Sequence, residues 1–477
     1  MREISDLEQA APPGCTRLDE RTIDDLDLAQ VFTSIDRTRT AAGAQALWRW
    51  LAAPAHDLEL LALREREISA FTDPELRART FRCLGTTSST DTQLVPRLLW
   101  EAPAKPLPDG LLPALAFGMI ALFALAFVWP PAFLGVIVMF GVNLVVDDWS
   151  KLRLAQQARA LEVLDDLLDR AAAVARVVPS ELAARIAPDL AVRDVLHRRM
   201  RVLALRDPFD VMDLVRAGLL VRLAITRSAM KLVEVERERL RRVVLWFGEV
   251  DAVAAIAALR AERRELRVPE LVPGETRLVA QELVHPTVAN AIGNDLELAG
   301  GLLVTGSNMS GKSTFLRTVA VNAILAQSIH TTFGGWHAMP LCVRTVMRIA
   351  DDPARGMSTY AVEVAAIGEL VAAVEDRAAR LFVVDEPFNG TNPTIRVPIV
   401  VAVLEYLVGA GLVLAATHDL DVANRLDQRF ARAYFAEYED GAFDRHLHTG
   451  IAPATNAVEI LRRAGYPDAI LARLAPA

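Results

Sequence analysis

Eight residues constrain this chain more tightly than any others. Gly306-Ser-Asn-Met-Ser-Gly-Lys-Ser313 meets the pattern G-x-x-x-x-G-K-[ST] at every fixed position. The run Leu302–Thr305 before it reads as a short buried strand, and the pattern from Thr314 onward reads as a helix. A strand, a glycine loop and a helix in that order open a parallel-sheet unit, because a parallel neighbour needs a crossover connection. The glycines let backbone N–H groups curl around a polyphosphate without a Cβ intruding, and the helix N-terminus adds partial positive charge there. Gly306, Ser307, Asn308, Met309, Ser310, Gly311, Lys312, Ser313 and Thr314 are therefore the expected nucleotide-binding loop. In such a loop Lys312 reaches the β- and γ-phosphates, and the Ser313 hydroxyl completes a Mg²⁺ shell.

Two further strand-like runs carry polar residues at their ends. Leu381-Phe-Val-Val-Asp385-Glu386 closes on adjacent carboxylates, and Leu412–Ala416 leads into Thr417-His418. Successive side chains on a strand point oppositely, so the two acids can take different tasks. Asp385 suits the metal, and Glu386 suits the attacking water. His418 falls where open α/β sheets bind ligands and is placed to contact a γ-phosphate. Strands alternating with helices after Pro269 and Pro273 predict an α/β region with a doubly wound parallel sheet. Ser358-Thr359 precedes an amphipathic stretch and by itself reads as a helix N-cap.

The rest of the 477 residues has a different character. Residues 1–20 lack the basic start and apolar run of a secretory signal. From Thr22 to about Leu98 the periodicity is helical, with Ala44, Leu47, Trp48 and Leu51 on one stripe and a second helix over Leu58–Phe71. Leu111–Val146 then carries no charged residue over 36 positions, divided by Trp129-Pro130-Pro131. Its first half, Leu111–Val128, would reach about 27 Å as a helix, close to the thickness of a hydrocarbon layer. Lys105 lies before the run, and Lys151 and Arg153 lie after it, so a two-helix membrane hairpin would leave both flanks in the cytoplasm. The competing reading is a helical hairpin buried in a large core.

Residues 151–268 return to long, arginine-rich helical patterns. Residues 193–267 hold 17 Arg plus Lys against 11 Asp plus Glu, although the whole chain has a net charge of −8. Such a segment is either a nucleic-acid contact surface or a set of solvated faces with paired charges. Only three cysteines occur, Cys15, Cys83 and Cys342, in no metal-type spacing, which fits a reducing compartment. These shifts in character divide the chain into an N-terminal helical core segment (1–105), the hairpin (106–150), a helical lever or core (151–270) and the nucleotide domain (271–477).

Thr305–Thr314 resembles the nucleotide loop of MutS-type mismatch-repair ATPases. So do His285-Pro286, Asn294-Asp295, Asp351–Val364 with Ser358-Thr359, Asp385–Thr391 and Ala416-Thr-His418. Leu26–Phe71, with Arg37-Thr-Arg-Thr-Ala-Ala-Gly43, is similar to the start of that family's helical core. The likeness is dense over about 280–470, thinner over 20–100 and poor elsewhere. It implies an ABC-class P-loop ATPase that uses ATP and Mg²⁺ and works as a homodimer. Ser358 of one copy would then reach the γ-phosphate bound by the other.

There are departures from the family pattern. About 20 residues precede the core, leaving no room for a mismatch-reading module, and no DNA clamp or full C-terminal helix-turn-helix is evident. Asn389 stands where repair proteins usually carry arginine. These features are similar to a divergent, membrane-associated branch. The expectation is an ATPase on the cytoplasmic face of a membrane that binds or remodels DNA. The alternative is a membrane-anchored mechanochemical ATPase acting on a protein or membrane partner, with no nucleic-acid ligand.

Overall fold

The computed structural model describes residues 13–86, 94–101, 111–204, 218–307, 310–347, 359–375, 379–389, 392–437, 443–451 and 465–467. The chain is an α/β protein with mixed sheets and many helices, organised as two compact units. One unit comprises residues 10–36, 48–66 and 259–477, and the other residues 1–9, 37–47 and 67–258.

The strands belong to the first of these units. In chain order they are β1 (Leu266–Arg267), β2 (Glu270–Leu271), β3 (Leu278–Leu283), β4 (Asn294–Leu298), β5 (Gly301–Thr305) and β6 (Thr332–Phe333). They continue as β7 (Gly335–Ala338), β8 (Cys342–Val346), β9 (Arg380–Asp385), β10 (Leu412–Thr417), β11 (Phe430–Glu437) and β12 (Phe443–Thr449). A six-stranded sheet runs β12-β11-β5-β10-β9-β8, parallel throughout except for the antiparallel β12 edge. All five residues of β5 and all six of β10 are buried, as expected for strands covered on both faces. Leu303, Phe382, Val384, Val413 and Ala415 pack with Ile367, Val400 and Leu404 of the helices Thr359–Ala372 and Pro393–Val408. The helix Lys312–Ser328 packs against β8, β9 and β10. A smaller sheet runs β2-β7-β3-β4, and β1 pairs with β6.

The β8 edge is covered by the N-terminal helix Glu20–Asp25. The Asp25 carboxylate accepts from Thr345 Oγ1 at 2.7 Å and from Met347 N at 2.9 Å, and Asp19 pairs with Arg344. Arg317 Nε donates to the Asp25 carbonyl at 2.8 Å. Capping an exposed strand edge in this way removes a template for unwanted pairing.

The other unit is helical among its described residues. Its longest element is the helix Ala132–Ala175, of 44 residues. Leu161, Leu164, Leu168 and Ala171 form its buried stripe. The charge-free run does form two helices, but their lengths differ from the sequence expectation. The first, Leu111–Ala126, stops after 16 residues, short of Val128. The second passes Val146 without a break, because no proline follows Pro131 until Pro179 and Asn143 and Asp147 turn inward, both buried. Ala132–Trp149 is the one helical stretch among the described residues long and apolar enough to cross a membrane, and only 17% of it is buried. The hairpin is thus not a core element. Phe117, Phe127, Val128, Leu134 and Val145 are all well exposed.

Several arginines of the basic segment are paired. Arg193 bonds Asp169 at 2.6 Å, Arg242 bonds Asp189 at 2.7 Å, and Arg241 bonds Glu238 at 2.6 Å. At these positions the charges are paired, as in the second of the two readings offered by the composition, while the segment as a whole keeps its excess of positive charge.

Candidate functional site

Three neighbouring strands bring the predicted residues to one edge of the main sheet. Thr417 of β10 pairs with Thr305 of β5, and Ala416 pairs with Asp385 of β9. The glycine loop, the two acids and Thr417-His418 therefore leave the sheet side by side, at the carboxyl ends where such sheets bind ligands.

The loop turns on glycines held at φ 144° (Gly306) and 114° (Gly311), values that L side chains rarely adopt. Lys312 opens the helix Lys312–Ser328 and is buried at 5% exposure. Its Nζ donates to the carbonyls of Gly306 and Ser307, both at 2.9 Å, and lies 3.6 Å from Glu386 Oε1. A buried ammonium held only by two carbonyls and one carboxylate keeps strong attraction for further negative charge. The Ser313 hydroxyl hydrogen-bonds Asp385, and Thr314 is exposed on the first helical turn. Asn308, Met309 and Ser358 lie outside the described residues.

Asp385 ends β9 with its carboxyl pushed above the usual aspartate range. Burial is the main cause, the Glu386 charge adds to it, and the Ser313 hydrogen bond opposes it. Glu386 sits at φ 50° and Phe388 at φ 58°, left-handed values that cost non-glycine residues about 1–3 kcal/mol each. That turn aims Glu386 back at the sheet edge, where its Oε2 lies 2.7 Å from His418 Nδ1 and accepts from His418 N at 3.3 Å. Among the described residues, four buried side-chain oxygens here find no hydrogen-bond partner: Ser307 Oγ, Ser310 Oγ, Asp385 Oδ1 and Glu386 Oε1. Buried polar atoms are normally satisfied, so such a cluster around a lysine marks a place built for a polar ligand. Among the described residues no group of three or more His, Cys, Asp or Glu could hold a metal alone. A cation here would therefore draw on Ser313, the free Asp385 oxygen, ligand phosphates and water, which is the donor set Mg²⁺ prefers.

Other residues around the site were not singled out from the sequence. Arg396 donates to Asp419 Oδ2 at 2.8 Å and to Asn389 Oδ1 at 3.3 Å, tying the turn after Glu386 to the residue after His418. Buried Glu363 accepts from Asn389 N at 3.2 Å, and the Tyr360 ring lies 6.3 Å from that of Phe388. The helix that follows Ser358 is thereby attached to the Glu386 turn. Residues paired across long sequence separations carry no local signal, although the Asn389 departure drew attention to this turn.

His285 is buried, and burial aided by the Arg317 charge lowers its pKa to about 4, so its ring is neutral at neutral pH. Thr287 bonds its Nδ1 at 2.9 Å. Asn294 and Asp295 serve structure. Asn294 accepts from Leu447 N at 2.7 Å, and Asp295 accepts from Glu282 N at 2.8 Å.

Residues 302–476 match the MutS domain V family. The DNA mismatch repair protein MutS of Natronomonas pharaonis is 32% identical over 265 residues, covering 52% of this chain and 30% of that protein. The DNA mismatch repair protein MutS 2 of Haloarcula marismortui is 37% identical over 181 residues, covering 36% of this chain and 19% of its own length. The DNA mismatch repair protein MutS of Dinoroseobacter shibae aligns with 93% of this chain and 58% of itself, at 28% identity. The chain thus spans less than two thirds of the length of each of these curated relatives.

Proposed function

We propose, from the match of residues 302–476 to MutS domain V, that the chain is a MutS-related, Mg²⁺-dependent ATPase of the ABC class, with a doubly wound nucleotide domain, working as a homodimer on DNA. The observation that carries this reading is the cluster of four buried oxygens around Lys312, at the carboxyl ends of β5, β9 and β10, that find no hydrogen-bond partner among the described residues. Backbone N–H groups of the loop and Lys312 would hold the β- and γ-phosphates of ATP. Ser313 and Asp385 would hold Mg²⁺, which supplies neutralisation of phosphate charge when bound. Glu386 would orient a water and accept its proton, and His418, bonded to the same carboxylate, would fix that carboxylate's direction and contact the γ-phosphate. Ser358, carried over from the family likeness, would complete the site bound by the other copy. Phosphate charge held between two copies then couples nucleotide state to their relative position.

DNA as the partner rests on the relatives and on the arginine-rich helices. Binding of duplex, branched and single-stranded DNA, measured at low salt where phosphate contacts are strongest, tests it. Micromolar or tighter binding that weakens steeply with salt is expected, and no binding to any form contradicts it. A second reading, favoured by the exposed apolar hairpin and the paired arginines, keeps the ATPase and replaces DNA with a membrane or a membrane-bound protein on the cytoplasmic face.

A further inference from the structure

We propose that the apolar hairpin is a one-sided membrane anchor whose turn, Phe127–Pro131, lies inside the hydrocarbon of a bilayer instead of emerging on the far side. This rests on the reading that the hairpin meets a membrane, and it sets the depth and topology of that contact.

The first argument is reach. Leu115 and Val146 pack on a small buried cluster of Leu154, Leu220 and Leu223, and Asn143 Nδ2 donates to the Gly218 carbonyl at 2.7 Å. The base of both arms is therefore covered by the same helical unit, and Arg222, exposed, lies beside that cluster in the sequence. Beyond Leu115 the first arm runs 11 residues to Ala126, and from Ala132 the second runs 11 residues to Asn143. At 1.5 Å per residue each free arm extends about 17 Å, roughly half the hydrocarbon thickness of about 30 Å.

The second argument is the chemistry of the turn. A loop that emerges into water needs polar or charged residues, whereas this one reads Phe127-Val-Trp-Pro-Pro131. Phe127 is 80% and Val128 84% exposed, so the tip carries the most exposed large apolar side chains of the hairpin's described residues. Its backbone is suited to lipid as well. The N–H groups of Phe127, Val128 and Trp129 donate to Ala124 and Leu125 carbonyls, and those of Ala132, Phe133 and Leu134 donate to Trp129, Pro130 and Pro131 carbonyls. Pro130 and Pro131 have no N–H to satisfy. Every backbone N–H from Phe127 to Leu134 is thus used within the turn, which lowers the cost of placing it in hydrocarbon, and the Trp129 indole N–H is the side-chain donor that remains there. Packing against protein would also cover the apolar surface, but it would not require the backbone N–H groups of the tip to be satisfied within the turn.

The test uses the full chain with Cys15, Cys83 and Cys342 replaced by serine and one cysteine introduced at an exposed position, either Val128→Cys or Val145→Cys. Each variant is labelled with a small fluorophore and mixed with vesicles of three parts phosphatidylcholine to one part phosphatidylglycerol. A melting curve matching the unsubstituted chain confirms that each variant is folded. The expected result is flotation with the vesicles. At position 128, quenching by lipids brominated near the acyl-chain ends should be about twofold stronger than by lipids brominated near the headgroup, with the order reversed at 145. Iodide on either side should leave position 128 bright. Flotation with quenching at 128 by iodide trapped in the vesicle lumen means that the hairpin crosses, which overturns the proposal but keeps the membrane reading. Quenching at 128 by external iodide means surface lying and also overturns it. Failure of both folded variants to float removes the membrane reading along with the proposal.

Discussion

Asp385 and Glu386 are adjacent carboxyls that the fold treats differently. Glu386 has a hydrogen-bonded oxygen facing His418, while Asp385 is half-buried, with one buried oxygen that finds no hydrogen-bond partner among the described residues and its pKa raised. A carboxyl whose folded pKa exceeds its unfolded value opposes folding at neutral pH, because burial penalises the charged form. Asp385→Asn should therefore raise the melting temperature of the ligand-free chain at neutral pH, with a gain that fades as pH falls through the raised folded pKa and is gone below the ordinary aspartate range. It should also weaken Mg²⁺-dependent nucleotide binding. Calorimetric melts across pH check the first effect and nucleotide titrations the second. Glu386→Gln should retain ATP and slow its hydrolysis by about 10²–10⁴-fold, as expected for loss of a general base, which a single-turnover assay reads directly. Lys312, Asp385 and Glu386 were legible in the sequence because loop pattern and strand end are local features. The Arg396–Asp419–Asn389 bridge was not, since Arg396 lies in the helix Pro393–Val408 and only the tertiary fold brings it to Asp419 beyond β10.

At the level of elements, the helix Ala41–Ala52 begins on an internal anion. Fully buried Asp251 accepts from Arg39 N at 3.0 Å, Thr40 N at 2.7 Å and Thr40 Oγ1 at 2.7 Å, satisfying donors at that helix start. Gly43 lies against the same carboxylate. A Cβ there would run into Asp251 Oδ2, too close for any side chain. Gly43→Ala should displace the carboxylate, strand buried donors and cost about 3 kcal/mol or more, measured by denaturant unfolding. In the sequence, Arg37–Gly43 stood out only by its family likeness. The physical reason for the glycine lies 208 residues away, at Asp251, and no spacing rule reveals it. Three central strands of the main sheet, β5, β9 and β10, by contrast, follow the apolar runs to within a residue, because a doubly covered strand has to be continuously apolar. The hairpin's second helix was misjudged for a related reason. Apolarity marks where lipid or core contact ends, but only proline or a cap marks where a helix ends.

For the molecule as a whole, chemistry and partners draw on different evidence. The candidate site is built within a single unit and follows from local patterns, as does the parallel sheet that positions it. What the chain acts on does not follow in the same way, because composition gives two readings of the basic helices and two of the hairpin. The structure pairs several of those arginines and leaves the hairpin exposed. The central claim is that ATP is hydrolysed where two copies meet, each supplying what the other lacks. Mixing Lys312→Ala with Ser358→Ala chains in equal amounts tests this most directly, since each is inactive alone while a mixed dimer restores one complete site. The account predicts about a quarter of the wild-type ATPase rate, as half the dimers are mixed and each has one working site of two. A mixture no more active than either variant alone would contradict it.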